Sequence, residues 1–122
     1  MNALWKLSAR EVAARVSARE VSASEVTRDS LARLAAVNPR LNAVIEHEAA
    51  WSLAQASAVD QRLAQGERLP LAGVPVTVKD NIWVAGRRIT QGSRVSAAKV
   101  SRKEPKFSSS WRMRKTPAPP WP

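Results

Sequence analysis

Apolar residues recur at helical spacing through the first half of the chain and switch to strict alternation only once. Leu7 and Val12 bracket Ser8-Ala-Arg-Glu11, and Val21 and Val26 bracket Ser22-Ala-Ser-Glu25. A serine followed three residues later by glutamate lets each side chain satisfy the other's orphan backbone donor, and the flanking apolar pair staples the first turn. The pattern predicts a helix over about 9–16, a turn occupied by the related copy Ser17-Ala-Arg-Glu-Val21, and a longer helix over about 23–37. The second helix carries Val26, Leu31, Leu34 and Ala35 on one side and offers Arg28, Asp29 and Arg33 to water. Asn38-Pro39 predicts its end, because the residue before proline is pushed out of the α region.

The next stretch, Leu41 to Ile45, is short and β-branched at its end, which predicts a brief strand. From about 48 to 65, Ala49, Leu53, Ala56, Val59 and Leu63 follow one another at spacings of 4, 3, 3 and 4, a third helix with Gly66 as its C-terminal cap. Val74, Val76 and Val78 then alternate with Pro75, Thr77 and Lys79, the period of a strand over about 74–79. That alternation sets Lys79 on the face away from the valines, and Asp80 and Asn81 end the strand in a turn. Alanine-rich stripes bury little area, and a lone strand leaves open edges. Residues 1–93 are therefore expected to be one part of a larger domain.

Charge changes the picture beyond Ser93. Of the net +10 on 122 residues, residues 1–93 carry 12 basic and 9 acidic side chains, whereas residues 94–122 carry 8 and 1. The same tail holds five of the eight prolines and Ser108-Ser-Ser110 without a sustained apolar period. Such a composition cannot bury enough surface to offset chain entropy, so 94–122 is expected to be a disordered, basic tail. With Phe107, Trp111 and Trp121 among its cations, the tail is expected to bind nucleic acid only non-specifically. A non-catalytic basic protein that binds polyanions is thus the reading from another class.

The chain has no cysteine, which excludes disulfides, thiolate metal sites and a cysteine nucleophile. No run nears the roughly 18 apolar residues of a membrane span. Glu11, Glu20 and Glu25 argue against an acid-poor targeting presequence, so a cytoplasmic location and no membrane partner are expected. His47 is the single histidine; with Glu46 and Glu48 it reads as a polar junction, and neither metal nor cofactor is expected. Ser96-Ala-Ala-Lys99 has the Ser-x-x-Lys spacing of penicillin-recognising enzymes but lacks the companion motifs.

Gly73-Val-Pro-Val-Thr-Val-Lys79-Asp-Asn81, followed by Val84-Ala-Gly86 and Thr90-Gln-Gly-Ser93, resembles the segment of the amidase signature family that carries its catalytic lysine. By motif the resemblance ends at Ser93. It implies an α/β fold, residues 1–93 supplying N-terminal helices and first strands to an αβα sandwich. It implies hydrolysis of carboxamide C–N bonds in small-molecule amides through a serine acyl-enzyme, with Lys79 as base and two further serines in a Gly/Ser-rich block. That block has no match in these 122 residues, so the chain by itself is expected to be inactive and the tail to come from a shifted reading frame, a mispredicted gene or a degraded paralogue. Asp80, Asn81, Thr90, Gly92 and Ser93 would support the active-site loop, while Trp83 and Arg87-Arg88 depart from the usual family residues. From pattern alone, Lys79 is a solvated strand end, and Asp80, Asn81 and Gly86 are ordinary turn residues. A variant within the class is the transamidating component of the tRNA-dependent amidotransferase, which shares the signature and works with partner subunits.

Overall fold

A computed structural model describes residues 3–100, in which Val78 begins a second compact unit separate from the helical unit that ends at Thr77. The helical unit holds a short 3-10 turn at Leu4–Lys6 and three α-helices: α1 (Ala9–Ser17), α2 (Ala23–Leu41) and α3 (Ala49–Ala64). Both serine–glutamate boxes form. The Ser8 amide donates to Glu11 Oε2 at 2.8 Å, and the Glu11 amide donates back to Ser8 Oγ at 3.3 Å. In α2 the matching distances between Ser22 and Glu25 are 2.8 and 3.0 Å. Hydrogen bonds from Ser8 and Ser22 hold the Glu11 and Glu25 carboxyls below the ordinary glutamate range.

The first turn of α2 is the crowded point of the unit. Ala23 is fully buried and Val26 nearly so, among Val12 and Val16 of α1, Ala56 and Val59 of α3, and Ala72. Leu7 and Val21, the residues before each helix cap, pack on the same cluster. A buried valine side chain contributes about 1.5 kcal/mol or more. Small residues at 23 and 72 let backbones approach. Gly73 has φ +68°, and a Cβ there would stand 2.9 Å from Val16 Cγ2 and 3.1 Å from both Ala23 Cα and Cβ.

Burial here obliges the α2 N-terminus to find partners, since a helix start leaves four N–H groups without intrahelical acceptors. Asp60 of α3 supplies two of them. Its Oδ1 accepts the Ala23 amide at 2.7 Å, and Oδ2 accepts the Ser24 amide at 3.1 Å and hydroxyl at 2.7 Å. The capping box serves the other two, with Ser22 Oγ accepting the Glu25 amide and Glu25 Oε2 accepting the Ser22 amide. The carboxylate also meets the positive end of the helix dipole.

The turn between α1 and α2 is a Schellman motif with arginine in the position usually held by glycine. Arg19 has φ 60°, its amide donates to the Val16 carbonyl, and the Glu20 amide donates to the Arg15 carbonyl. The Arg19 guanidinium then donates to the Leu63 carbonyl at 2.6 Å. That carbonyl also closes the second Schellman motif, after α3, where Gly66 at φ +83° donates to it. Arg19 thus joins the C-terminal ends of α1 and α3. At the amino end, the Trp5 amide donates to Asp29 Oδ2 at 2.7 Å and the Arg33 guanidinium lies 4.3 Å from the Trp5 ring centroid. Two residues offered to water by the sequence pattern therefore dock the first turn on α2.

The sequence expectations need three corrections. First, α2 does not stop at Asn38-Pro39 but runs through Pro39 to Leu41. Proline in the last turn forfeits one N–H bond, and the turn beyond is rebuilt locally. Asn42 takes φ 48° and donates to the Asn38 carbonyl at 2.7 Å, while Asn38 Oδ1 accepts the Ala43 and Val44 amides and Asn38 Nδ2 donates to the Val44 carbonyl. Second, the strand expected at 41–45 is the end of that helix and the irregular segment after it.

Third, the strand expected at 74–79 does not form, and the β pairing among the described residues is an isolated antiparallel bridge between Arg88 and Val100. A strand needs a ladder partner, and the α/β sandwich of the family resemblance is not present in these helices and loops. Val76 and Val78 stay 54% and 51% exposed. The expected disordered tail lies mostly outside the described residues; within them, 94–100 form a 3-10 turn at Arg94–Ser96 and the pairing with Arg88. No helix among the described residues is long and apolar enough to cross a membrane.

Two substitutions test this account. Asp60→Ala, which orphans the Ala23 and Ser24 amides, is expected to cost about 2 kcal/mol in denaturant unfolding followed by helical circular dichroism. Gly73→Ala is expected to destabilise more than Gly66→Ala, because both residues have positive φ but a Cβ at 66 meets nothing within 4 Å.

Candidate functional site

The signature residues fall in the second unit, where three turns follow one another. The Ile82 amide donates to the Lys79 carbonyl at 2.9 Å, the Arg87 amide to Val84 at 3.0 Å, and the Ser93 amide to Thr90 at 2.9 Å. Gly86 at φ +74° occupies the third position of the middle turn, where a type II turn requires positive φ. The last turn has positive φ at both central residues, Gln91 at 52° and Gly92 at 71°. Glutamine there is strained in a way that glycine is not.

Asp80 ties the first of these turns to the last. Its Oδ1 accepts the Thr90 amide at 2.8 Å, and its Oδ2 accepts the Thr90 hydroxyl and, at 3.4 Å, the Gly92 amide. The Thr90 hydroxyl oxygen also accepts the Gly92 amide at 3.2 Å. Led by the hydroxyl bond from Thr90, then by its amide and those of Gly92 and Gln91, these donors hold the Asp80 carboxyl below the ordinary aspartate range. Asp80 is thus an acceptor for the whole Thr90–Gly92 turn, in the position immediately after Lys79.

Of the six candidate residues, the structure brings Asp80, Thr90 and Gly92 together and keeps Lys79 adjacent through the backbone. Lys79 and Asn81 are exposed. Ser93 caps a different element, its Oγ accepting the Val95 amide at 3.3 Å at the start of the 3-10 turn. A cleft of about 340 Å³ in the helical unit, lined by Ser17, Leu63, Glu67, Arg68, Leu69 and Pro70, contains none of the candidate residues. No group of three or more His, Asp or Glu side chains among the described residues is arranged to hold a metal.

Sequence reasoning passed over two participants. Ile89 is 1% exposed although arginine and threonine flank it. Lys99, assigned to the tail, has its carbonyl on the Ile89 amide at 3.0 Å and its ammonium 4.6 Å from the Trp83 ring centroid. No local pattern signals either one, since both depend on pairing across ten residues.

Acid titration tests the Asp80 clamp. A lowered folded-state pKa means that the carboxylate's contribution is present above the ordinary aspartate value near 3.8 and is lost as pH falls through the folded value. Protection of the Thr90 amide, its exchange rate taken relative to the intrinsic rate at each pH, is expected to hold down to that range and then fall, whereas Asp80→Asn is expected to show weak protection already at neutral pH.

The Amidase family matches residues 25–112, a stretch that runs past Ser93, where the motifs alone end. The chain is 50% identical over 96 residues to the A subunit of glutamyl-tRNA(Gln) amidotransferase from Acidothermus cellulolyticus, covering 78% of this chain and 19% of that protein. It is 47% identical over 98 residues to the protein of the same name from Salinispora arenicola, covering 80% and 20%. The Alkalilimnicola ehrlichii protein of that name shares 48% over 85 residues, covering 70% and 18%. The chain therefore spans about a fifth of the length of the curated relatives it matches. No solved structure matches it. Because the match takes in most of the chain, including the lysine run and the turn that Asp80 binds, the chain belongs to the amidase family.

Proposed function

We propose that the chain supplies the lysine of a serine-dependent amidase. In this reading Lys79 takes the proton of a bridging serine. That serine activates a second serine, whose oxygen attacks the carboxamide carbon; the C–N bond breaks, the nitrogen leaves protonated, and water hydrolyses the acyl-enzyme. The observation that carries the reading is the joining of the signature's two halves, Lys79-Asp80-Asn81 and Thr90-Gln-Gly-Ser93, by the Asp80 carboxylate. Asp80 and Thr90 would hold the lysine loop, with Asn81, Gly92 and Ser93 as further support.

A lysine acts as base only where its charged form is disfavoured, chiefly by desolvation. In the family's αβα sandwich, neighbouring strands would pair with residues 74–78 and cover the exposed Val76 and Val78, and the same cover would close over Lys79. The substrate class is a small carboxamide, and the reaction takes place in the cytoplasm. The relatives' shared name favours a variant of the same chemistry, in which the released amide nitrogen is passed to glutamyl-tRNA(Gln) and other components of the amidotransferase are partners. Co-purification with such components separates the variant from a free-standing amidase. The basic segment beyond residue 93 contributes only non-specific attraction to nucleic acid.

The purified 122-residue chain is expected to give no turnover on aryl or aliphatic amides; turnover that is lost in Lys79→Ala would overturn the claim that the chain is inactive alone. Reconstituted with the serine-bearing remainder of the Acidothermus relative, it is expected to hydrolyse amides. Lys79→Ala is expected to lower kcat/KM there by about a thousand-fold or more. Lys79→Arg is expected not to restore it, because a guanidinium does not give up its proton. Turnover indifferent to both changes would remove Lys79 from the role of base.

A further inference from the structure

Lys99 stands outside the signature motifs, yet its backbone and side chain both return to the loop that follows Lys79. The Lys99 amide donates to the Ser96 carbonyl at 2.9 Å, which turns the chain back, and the Lys99 carbonyl then accepts the Ile89 amide at 3.0 Å. The next residue completes an antiparallel bridge, Val100 against Arg88. Ile89 is buried at this junction, and Thr90, the residue beside it, donates both its amide and its hydroxyl to Asp80. On the other side, the Lys99 ammonium lies 4.6 Å from the centroid of the Trp83 ring, within the range of a cation–π contact. Trp83 sits one residue beyond Ile82, whose amide donates to the Lys79 carbonyl.

The loop from Lys79 to Thr90 is therefore closed twice. Asp80 closes it from within, and Lys99 closes it from without by holding Ile89 through its carbonyl and Trp83 through its charge. We propose that Lys99 and Trp83 form a latch on the lysine-bearing loop and act as positioning residues for Lys79. That role rests on Lys79 being the base, while the latch itself does not.

Loop closure explains why two contacts this weak can matter. A loop joined at one point retains the freedom of its remaining bonds; each further closure removes more of that freedom from a segment that is already ordered. The Asp80 carboxylate supplies a cluster of short-range acceptors, but it fixes only the two ends of the loop. The latch acts at two further points, Trp83 and Ile89. The pairing is also chemically specific. A tryptophan ring takes a cation over its face more favourably than other rings do, and a neutral side chain at 99 would keep the backbone pairing while losing that attraction.

Amide hydrogen exchange on the full 122-residue chain tests the latch without requiring activity. Four proteins suffice: the wild type, Lys99→Met, Trp83→Leu and the double variant. Three amides are read: Ile89, which donates to Lys99; Thr90, which donates to Asp80; and Ile82, which donates to Lys79. Lys99→Met is expected to speed exchange at all three by roughly two- to five-fold, the equivalent of one exposed cation–π contact. The double variant is expected to add little to either single change. Lys99→Arg, which keeps a cation for the ring, is expected to restore protection.

Acceleration confined to Ile89 would overturn the positioning role, because it would show a local pairing that does not reach Asp80 or Lys79. Additive effects in the double variant would overturn the Lys99–Trp83 latch. Helical circular dichroism of each variant keeps loss of fold apart from loss of the latch. Failure of the amidase reading would instead appear in the Lys79→Ala assay and leave the exchange pattern untouched.

Discussion

Asp60 takes the amides of Ala23 and Ser24, and the helical unit depends on that contact. Ala23 has no exposed surface, so water cannot satisfy its amide if the carboxylate is withdrawn. The same turn of helix is where Gly73 passes within contact of Val16 and Ala23, and where Val26 meets α1 and α3. Apolar burial draws the three helices to this place, and burial alone would leave polar groups stranded there. A charged acceptor on the neighbouring helix makes the close approach compatible with a satisfied backbone. Arg19, donating to Leu63 at the other end of α1 and α3, is the cationic counterpart, placed where carbonyls rather than amides are left over.

The second unit uses the same device in a loop. Asp80 gathers the donors of Thr90 and its successors much as Asp60 gathers those of α2, but here the groups belong to a turn with two positive φ angles rather than to a helix. Turns of this kind expose their amides on one side, which makes them ready acceptor-seekers. The consequence for function is geometric. Asp80, directly after the proposed base, is committed to structure by its hydrogen bonds, while Lys79 beside it is exposed.

Several large apolar side chains stay exposed among the described residues. Leu71 and Val76 of the helical unit, and Val78 at the start of the second, each stand more than half exposed. The chain spans about a fifth of the length of the curated relatives it matches. The helices find enough mutual contact to fold around small side chains. A strand has no such local solution, because its hydrogen-bonding groups point sideways to neighbours that must come from distant sequence.

Local chemistry was legible in the residues themselves. The serine–glutamate boxes at Ser8 and Ser22, the stripe through Ala56 and Val59 and the glycine cap at Gly66 all act within a few positions, so spacing alone determined α1 and α3, while the family was legible in the resemblance of the run around Lys79 to the amidase signature. Pro39 misled, because Asn38 rebuilds the turn after it with side-chain bonds that no propensity records. The strand at 74–79 was read from alternation that only a partner could realise. What tertiary structure alone decided were the contacts that span the chain: Asp60 to Ala23 across 37 residues, Arg19 to Leu63 across 44, Asp80 to Thr90 across ten. Each joins an orphan donor or acceptor to a charge far away in sequence. Such a pairing is set by where burial brings the backbone, and that is a property of the folded chain rather than of any window within it.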